Sequence, residues 1–192
     1  MPKHGHNQPA EVAERGPETA FVLGIDPGLQ RTGYAVLSDA AGTTEVRLIE
    51  AGVIRLARGA TLASRLLDLE QSLDMLIQTH RPVALACEEL YAHYRHPRTA
   101  ILMAHARGVM LLLAARAGLR IFPVAATNVK KFLTGSGRAG KPQVQMAVAA
   151  LLHLPTVPEP HDVADAIAIA LCGLRLHQAE RTGVVAARRA QA

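Results

Sequence analysis

Leu23–Leu37 reads LGIDPGLQRTGYAVL, two apolar runs separated by a turn, with Asp26 at the end of the first run. The pattern predicts two buried strands joined by turn residues. An unpaired carboxylate in a core is either costly or neutralised by protonation. Asp26 therefore needs a partner, unless its side chain only shapes the turn before Pro27. Gly28 and Gly33 are expected to turn the chain back and to leave room for a phosphate.

Working outward from this stretch, hydrophobic periodicity predicts the element order β-β-β-α-β-α-β-α-α-α. The first three strands form a meander, and an amphipathic helix follows in TLASRLLDLEQSLDMLIQTHR. The two later strands are VALACEE and RIFPV, separated by the apolar helix RTAILMAHARGVMLLLAARAG. The remaining helices are ATNVKKFLTG, KPQVQMAVAALLHL and HDVADAIAIALCGLRLHQAE. This order predicts an α/β sandwich with a mixed five-stranded sheet flanked by helices.

The 192 residues suit one domain, which we place at 21–178. Residues 1–20 are polar and lack the apolar region of a signal peptide, so we expect a disordered lead. Residues 179–192 are expected to be a flexible basic tail. No uninterrupted apolar run is long enough to predict a membrane span. Cys87 and Cys172 lie in apolar runs without metal-ligand spacing, which predicts buried thiols in a reducing cytoplasm.

The net charge is +5, and the charged residues are distributed unevenly along the chain. Residues 91–158 contain no Asp or Glu and nine basic side chains, and acidic residues lie on both sides of this segment. The nine are Arg95, Arg98, Arg107, Arg116, Arg120, Lys130, Lys131, Arg138 and Lys141. A basic expanse beside a few carboxylates indicates a polyanionic substrate. The alternative is a solvated basic face without a ligand.

Four carboxylates occupy comparable positions in the predicted elements. Asp26 and Glu88 end the first and fourth strands, where ligand sites gather in open α/β sheets. Asp162 and Asp165 are predicted to share one face of the first turn of the last helix. Such a group would repel itself unless hard cations such as Mg²⁺ lay between the oxygens. Two ions about 4 Å apart support phosphodiester hydrolysis. The alternative for Asp165 is an N-cap or a partner of the helix dipole.

Five motifs in this order and spacing resemble the RuvC family, bacterial Holliday-junction resolvases with a ribonuclease-H-like fold. They are GIDPGLQRTGYAV, ACEELYA, HARGV, NVKKFLTGSGRAGKPQVQ and DVADAIAIA, and the likeness runs from about Phe21 to His177. The resemblance implies that the four acids Asp26, Glu88, Asp162 and Asp165 bind two Mg²⁺ ions, with Mn²⁺ as a substitute. It further implies that Lys141 lies beside the scissile phosphate.

The same resemblance implies DNA contacts. Lys130 corresponds to a residue that contacts the DNA backbone, and Tyr91 to one that stacks on bases near the junction centre. Tyr94 lies among the same basic residues, a mixture typical of stacking beside phosphates. The candidate DNA-binding residues are Tyr91, Arg95, Arg98, Lys130, Lys131 and Arg138. The alternative for Lys130 and Lys141 is a solvated lysine at a helix end. The alternative for Tyr91 is a position in the core. The histidines at positions 93, 96 and 105 leave open which DNA sequence the protein prefers to cleave. His161 is the neighbour of Asp162 in the sequence.

These expectations describe a cytoplasmic, homodimeric, Mg²⁺-dependent endonuclease of recombination and repair. It would nick two strands of like polarity symmetrically across a four-way DNA junction, and the helix Arg98–Ala117 is the candidate interface core. The resemblance also implies cooperation with RuvA and RuvB. The alternatives are a junction-binding protein without catalysis and a nuclease for another branched or RNA-containing substrate. GIDPGLQRTGYAV also resembles the first phosphate loop of the actin and Hsp70 ATPases, which need a second such loop.

Overall fold

The computed structural model describes residues 19–28, 30–39, 45–90 and 97–183. Within these ranges the elements follow the predicted order, so the α/β expectation is confirmed. The strands are β1 (Ala20–Asp26), β2 (Arg31–Asp39), β3 (Val46–Arg55), β4 (Ala84–Glu88) and β5 (Arg120–Val124). The helices are α1 (Leu62–His80), α2 (Pro97–Arg116), α3 (Ala126–Thr134), α4 (Lys141–Leu151) and α5 (His161–Arg181).

The strands form one mixed sheet in the order β3-β2-β1-β4-β5. The meander β1-β2-β3 is antiparallel, whereas β4 runs parallel to both β1 and β5. Ile25 pairs with Cys87, so the next residues along, Asp26 and Glu88, end two adjacent parallel strands at one edge of the sheet. The predicted mixed sheet is confirmed, and it brings the first two carboxylates together.

Two apolar layers cover the sheet, because successive side chains of a strand point to opposite faces. On one face Val22, Ala35 and Ala86 pack with α5 and with parts of α3 and α4. On the other face Leu23, Val36 and Leu85 pack with α1 and α2. Cys87 and Cys172 are both buried, as predicted, and burial raises the pKa of the Cys172 thiol to about 12.

Helix α5 is buried from Val163 to Leu174, except at the half-buried Asp165, and lies directly on the sheet. Gly24 and Gly33 allow this close approach, since a Cβ at Gly24 would lie 2.5 Å from the Cβ of Ala170. A Cβ at Gly33 would lie 2.1 Å from the carbonyl oxygen of Asp162. The role that we predicted for Gly33 in the turn is therefore wrong: the glycine admits the first turn of α5.

The turn between β1 and β2 is held by Thr32. Its Oγ1 donates to the Gly28 carbonyl oxygen at 2.6 Å and accepts from the Gly28 N–H at 3.3 Å. Within the described residues, the Asp26 side chain makes no hydrogen bond that would shape this turn. The alternative in which Asp26 serves only the turn is thereby weakened.

The last helix continues past the boundary that we predicted at residue 178. Arg120 donates two hydrogen bonds to the Glu180 carboxylate, at 2.8 and 3.0 Å, and Gln178 donates to Asp39 at 2.9 Å. These contacts attach Gln178 and Glu180 to the sheet. The predicted lead lies outside the described residues up to position 18, and so does the tail from 184 onward.

Candidate active site

Three of the four predicted acids line one pocket of about 280 Å³ at the carboxyl ends of β1 and β4. Asp26 and Glu88 project from the strands on the face covered by α5, and Asp165 projects from α5 itself. Lys130 of α3 and Lys141, the first residue of α4, line the same pocket. The arrangement combines a strand-held pair of acids with one acid and two cations from the covering helices.

Asp162 lies beside this pocket. Its Oδ2 is 3.4 Å from Nε of Arg31, and its Oδ1 is 3.6 Å from Nε2 of His161. Oδ2 is buried and has no hydrogen-bond partner among the described residues, because the contact with Arg31 lacks hydrogen-bond geometry. The sequence did not single out Arg31, because this residue lies outside the long basic segment. Its contact joins β2 to α5, which are distant in sequence.

The positions of the two helix acids differ in part from the prediction. Asp162 lies in the first turn of α5, as predicted, whereas Asp165 lies just beyond it. The N-cap residue is Pro160, so Asp165 is not an N-cap. The spacing of three nevertheless keeps both acids on one side of the helix, and the close approach at Gly33 holds that side against the sheet edge.

The carboxylates act on one another electrostatically. Burial, followed by the charges of Asp165, Glu88 and Asp162, raises the pKa of Asp26 to about 7, and Lys141 opposes this rise. Burial and the charge of Asp165 also raise the pKa of Glu88, opposed by Lys130. Burial likewise raises the pKa of Asp165, while Lys141 lowers it. The site therefore holds more negative charge than its own lysines balance.

In the part of the chain that the structure describes, no group of three or more Asp, Glu, His or Cys side chains lies close enough together to hold a metal ion as arranged. The chemistry of the donors nevertheless fits a hard divalent cation, because carboxylate oxygens are what Mg²⁺ prefers. The excess negative charge agrees with such a ligand, and so does the buried Oδ2 of Asp162, which accepts no hydrogen bond from the described residues. Side-chain movement is needed to close the acids around it.

The candidate DNA-binding residues fall into two groups. Lys130 lines the pocket, while Lys131 and Arg138 are exposed nearby on α3 and the turn after it, and Arg98 is exposed near the start of α2. Tyr91 and Arg95 lie outside the described residues, as do Tyr94, His93 and His96. Not every cation of the basic segment is free for a polyanion, since Arg120 is paired with Glu180.

Comparison with known proteins places this geometry in a family. Residues 22–173 match the family model described as crossover junction endodeoxyribonuclease RuvC. A RuvC of Rhodopirellula baltica is 49% identical over 162 residues, which cover 84% of this chain and 90% of that protein. One from Pelotomaculum thermopropionicum is 42% identical over 161 residues, covering 84% of this chain and 96% of the relative.

Solved structures agree with the sequence comparison. Thermus thermophilus RuvC in complex with Holliday junction substrate superposes with a TM-score of 0.73 and is 32% identical, covering 79% of this chain and 91% of that one. The yeast mitochondrial Holliday junction resolvase Ydc2 shares the fold alone, with a TM-score of 0.53 and 16% identity.

The ribonuclease-H-like fold is thus confirmed by structural neighbours, and the ATPase alternative is displaced by the match over most of the chain. The mixed sheet and the acids at its edge agree with these relatives. The chain therefore belongs to the RuvC family of crossover junction endodeoxyribonucleases.

Proposed function

We propose that this chain is a Holliday-junction resolvase that hydrolyses DNA phosphodiester bonds at a four-way junction with the help of divalent metal ions. The observation that carries the proposal is the single pocket in which Asp26, Glu88 and Asp165 meet Lys130 and Lys141. Acids that gather cations, next to lysines that attract phosphate, form the combination that phosphodiester hydrolysis requires.

Within this proposal each side chain has a distinct task. Asp26 and Glu88 would hold the ions from rigid strand ends, and Asp165 and Asp162 would hold them from α5. Bound Mg²⁺, two ions by the resemblance and replaceable by Mn²⁺, would supply an activated water and stabilise the leaving oxygen. Lys141 is exposed at the start of α4 and stabilises negative charge that develops on the phosphate. Lys130 offsets the charges of Glu88 and Asp165 and orients the DNA backbone.

The proposed enzyme is a homodimer whose interface core is α2. Residues Arg98–Arg116 have a mean hydropathy of 1.3, and only 22% of that window is buried. By length and composition alone this helix could cross a membrane, but one such helix is weak evidence for a membrane protein. Its exposed positions form one stripe at helical spacing, which suits a partner helix. Between Ile101 and Ala115 the stripe consists of Ile101, Ala104, His105, Gly108, Leu112 and Ala115.

A twofold axis near Gly108 gives this stripe a self-complementary geometry. In an antiparallel pair of α2 helices centred there, Leu112 of one copy lies opposite Ala104 of the other, since each is four residues from the axis. Leu112 is 53% exposed. A pocket of about 460 Å³ lies beside the stripe, and its lining comprises Glu89, Leu90, Ala104, Arg107, Gly108, Leu111 and Pro123. Gly108 lowers helix propensity and a Cβ there would meet nothing within 4 Å in its own chain, which agrees with close approach of a second copy.

Gly108→Arg is expected to convert the dimer to a folded monomer, because the side chain has open space in its own chain but blocks the approach of the second copy. Sedimentation velocity should report a mass that falls from twice the chain mass of 20.5 kDa to that mass itself. The matched control is Ala150→Arg, which adds the same side chain to an exposed position of α4 and should remain dimeric. An unchanged dimer in the Gly108 variant would place the interface elsewhere.

Membership of the family also suggests where in the cell the protein acts, in which process and with which partners. We infer that the protein acts in the cytoplasm in homologous recombination and DNA repair, and that it cooperates with RuvA and RuvB. Tyr91, Arg95, Arg98, Lys131 and Arg138 are proposed to contact the junction around the pocket. A twofold dimer matches a twofold substrate, so the two nicks would fall symmetrically on strands of like polarity.

The direct test uses a synthetic four-way junction with each strand labelled in turn, in Mg²⁺ and in EDTA. We expect paired nicks on two strands of like polarity, only with the metal, and much slower cutting of a linear duplex of the same sequence. Flap and RNA–DNA hybrid substrates run in parallel. Faster cutting of either one would favour a related nuclease, and junction binding without nicks in Mg²⁺ or Mn²⁺ would favour a binding protein.

A further inference from the structure

Two arginines stand opposite each other at one end of the antiparallel pair β2 and β3. Arg31 is the first residue of β2, and its register partner is Arg55, the last residue of β3. Opposite residues in an antiparallel pair have Cα atoms about 5 Å apart, and like charges placed there are destabilising. Both side chains are exposed, and within the described ranges Arg55 has no ion pair. Arg31 has Asp162 as its partner and Arg55 has none among the described residues, so the pair carries more positive charge than its neighbours balance.

The pair lies beside the acids and on the same face of the sheet. Val53 and Ala35 pack toward α5, and the alternation of side chains along each strand sends Arg55 and Arg31 to that face too. Arg31 confirms this by its contact with Asp162, 3.4 Å away. Neighbouring strands are about 4.8 Å apart, so β3 lies roughly 10 Å from β1 and Asp26. An extended arginine side chain spans much of that distance.

Lys130 and Lys141 lie on the other side of the acids, where α3 and α4 cover the sheet. Across the end of the sheet the order of charge is thus positive at Arg55 and Arg31, negative at Asp26 and Glu88, and positive again at the lysines. A polyanionic strand laid across this edge would meet cations before and after the point where it crosses the acids.

We propose that Arg31 and Arg55 form a second phosphate-binding surface, which holds the DNA backbone on the β3 side of the cleavage site. The inference rests on the proposed function in one respect, that the polyanion is DNA. Arg31 keeps its Nε toward Asp162 and is 46% exposed, so its terminal nitrogens remain available for a phosphate. The contacts are to phosphates, so they increase affinity without selecting a base sequence.

The test measures DNA binding by fluorescence anisotropy as a function of salt, with a four-way junction and a linear duplex as probes. All proteins carry Glu88→Gln to suppress cutting. Arg55→Gln is expected to weaken binding to both probes about fivefold and to make the slope of log affinity against log salt less steep by about 1. The double variant Arg31→Gln/Arg55→Gln should change the slope by about 2.

Arg47→Gln is the matched control, since Arg47 is an exposed arginine near the opposite end of β3, with 71% of its side chain exposed. It should bind like the parent at every salt concentration. Equal slopes for the parent, the single and the double variants on both probes would overturn the proposal. A less steep salt slope for the variants on both probes supports the phosphate-binding surface. If the parent protein binds the junction no more tightly than the duplex, that result contradicts only the proposed function. A parent that binds neither probe overturns both.

Discussion

Asp26→Asn is expected to reduce the rate of junction nicking by at least about 10³-fold, more than the loss usually seen when one charge-stabilising group is removed. Burial, followed by the charges of Asp165, Glu88 and Asp162, raises the pKa of Asp26 to about 7, so Asp26 lies where the charges of the other acids act together. Asn has the same shape but cannot supply the anionic oxygen that a divalent ion needs. Single-turnover nicking of a labelled four-way junction measures the effect.

The same substitution should stabilise the metal-free protein above neutral pH. The pKa of Asp26 is about 7 in the folded chain, against 3.8 ordinarily, so between these values the folded protein keeps a proton that the unfolded chain has released. Stability of the parent therefore falls as pH rises through that window, and the whole penalty is present above it. Asn removes the charge, and urea unfolding in EDTA at pH 8 should show a gain on the order of 2 kcal/mol.

The two readouts separate a metal ligand from a structural residue. Asp74→Asn changes a carboxylate of α1 remote from the pocket; it is the control and should leave the nicking rate unchanged. If Asp26→Asn cuts as fast as the parent, the metal-site assignment is wrong. A variant that loses stability together with activity would show instead that the carboxylate serves the fold.

Gly33→Ala is expected to lower nicking by about 10²-fold in protein that is still folded, because a small misplacement of a reacting group has that effect. The added Cβ would lie 2.1 Å from the Asp162 carbonyl oxygen and 2.8 Å from its carbonyl carbon. These are backbone atoms, so relief requires moving the first turn of α5 away from β2. Asp162 moves with that turn. We also expect a loss of about 2 kcal/mol in the free energy of unfolding from the overpacking.

Gly24→Ala is the informative comparison, since it strains the contact with the same helix one to two turns further along. Its Cβ would lie 2.5 Å from the Cβ of Ala170 and 2.6 Å from the carbonyl oxygen of Ala166. Both variants should be destabilised, as urea unfolding will measure, but the nicking rate of folded protein should fall further for Gly33→Ala. Equal nicking rates would mean that strain on α5 as a whole, and not the position of Asp162, limits the reaction.

Local patterns in the sequence were sufficient for the element order and for the strand ends at which Asp26 and Glu88 lie. Alternation and helical spacing report burial directly, and an acid at the end of a buried strand is conspicuous because a core excludes unpaired charge. The placement of Asp165 relative to the N-cap was less accurate, since helix ends depend on contacts beyond the helix itself.

The sequence by itself determined which strands and helices form, which face of each is apolar, and which carboxylates end the strands. Only the tertiary structure decided that Arg31 faces Asp162, that Arg55 stands opposite Arg31, and that Gly33 admits the first turn of α5. The physical reason is that a local pattern depends on neighbours along the chain. Strand register and helix approach instead depend on backbones that are distant in sequence and meet only when the sheet and α5 pack together.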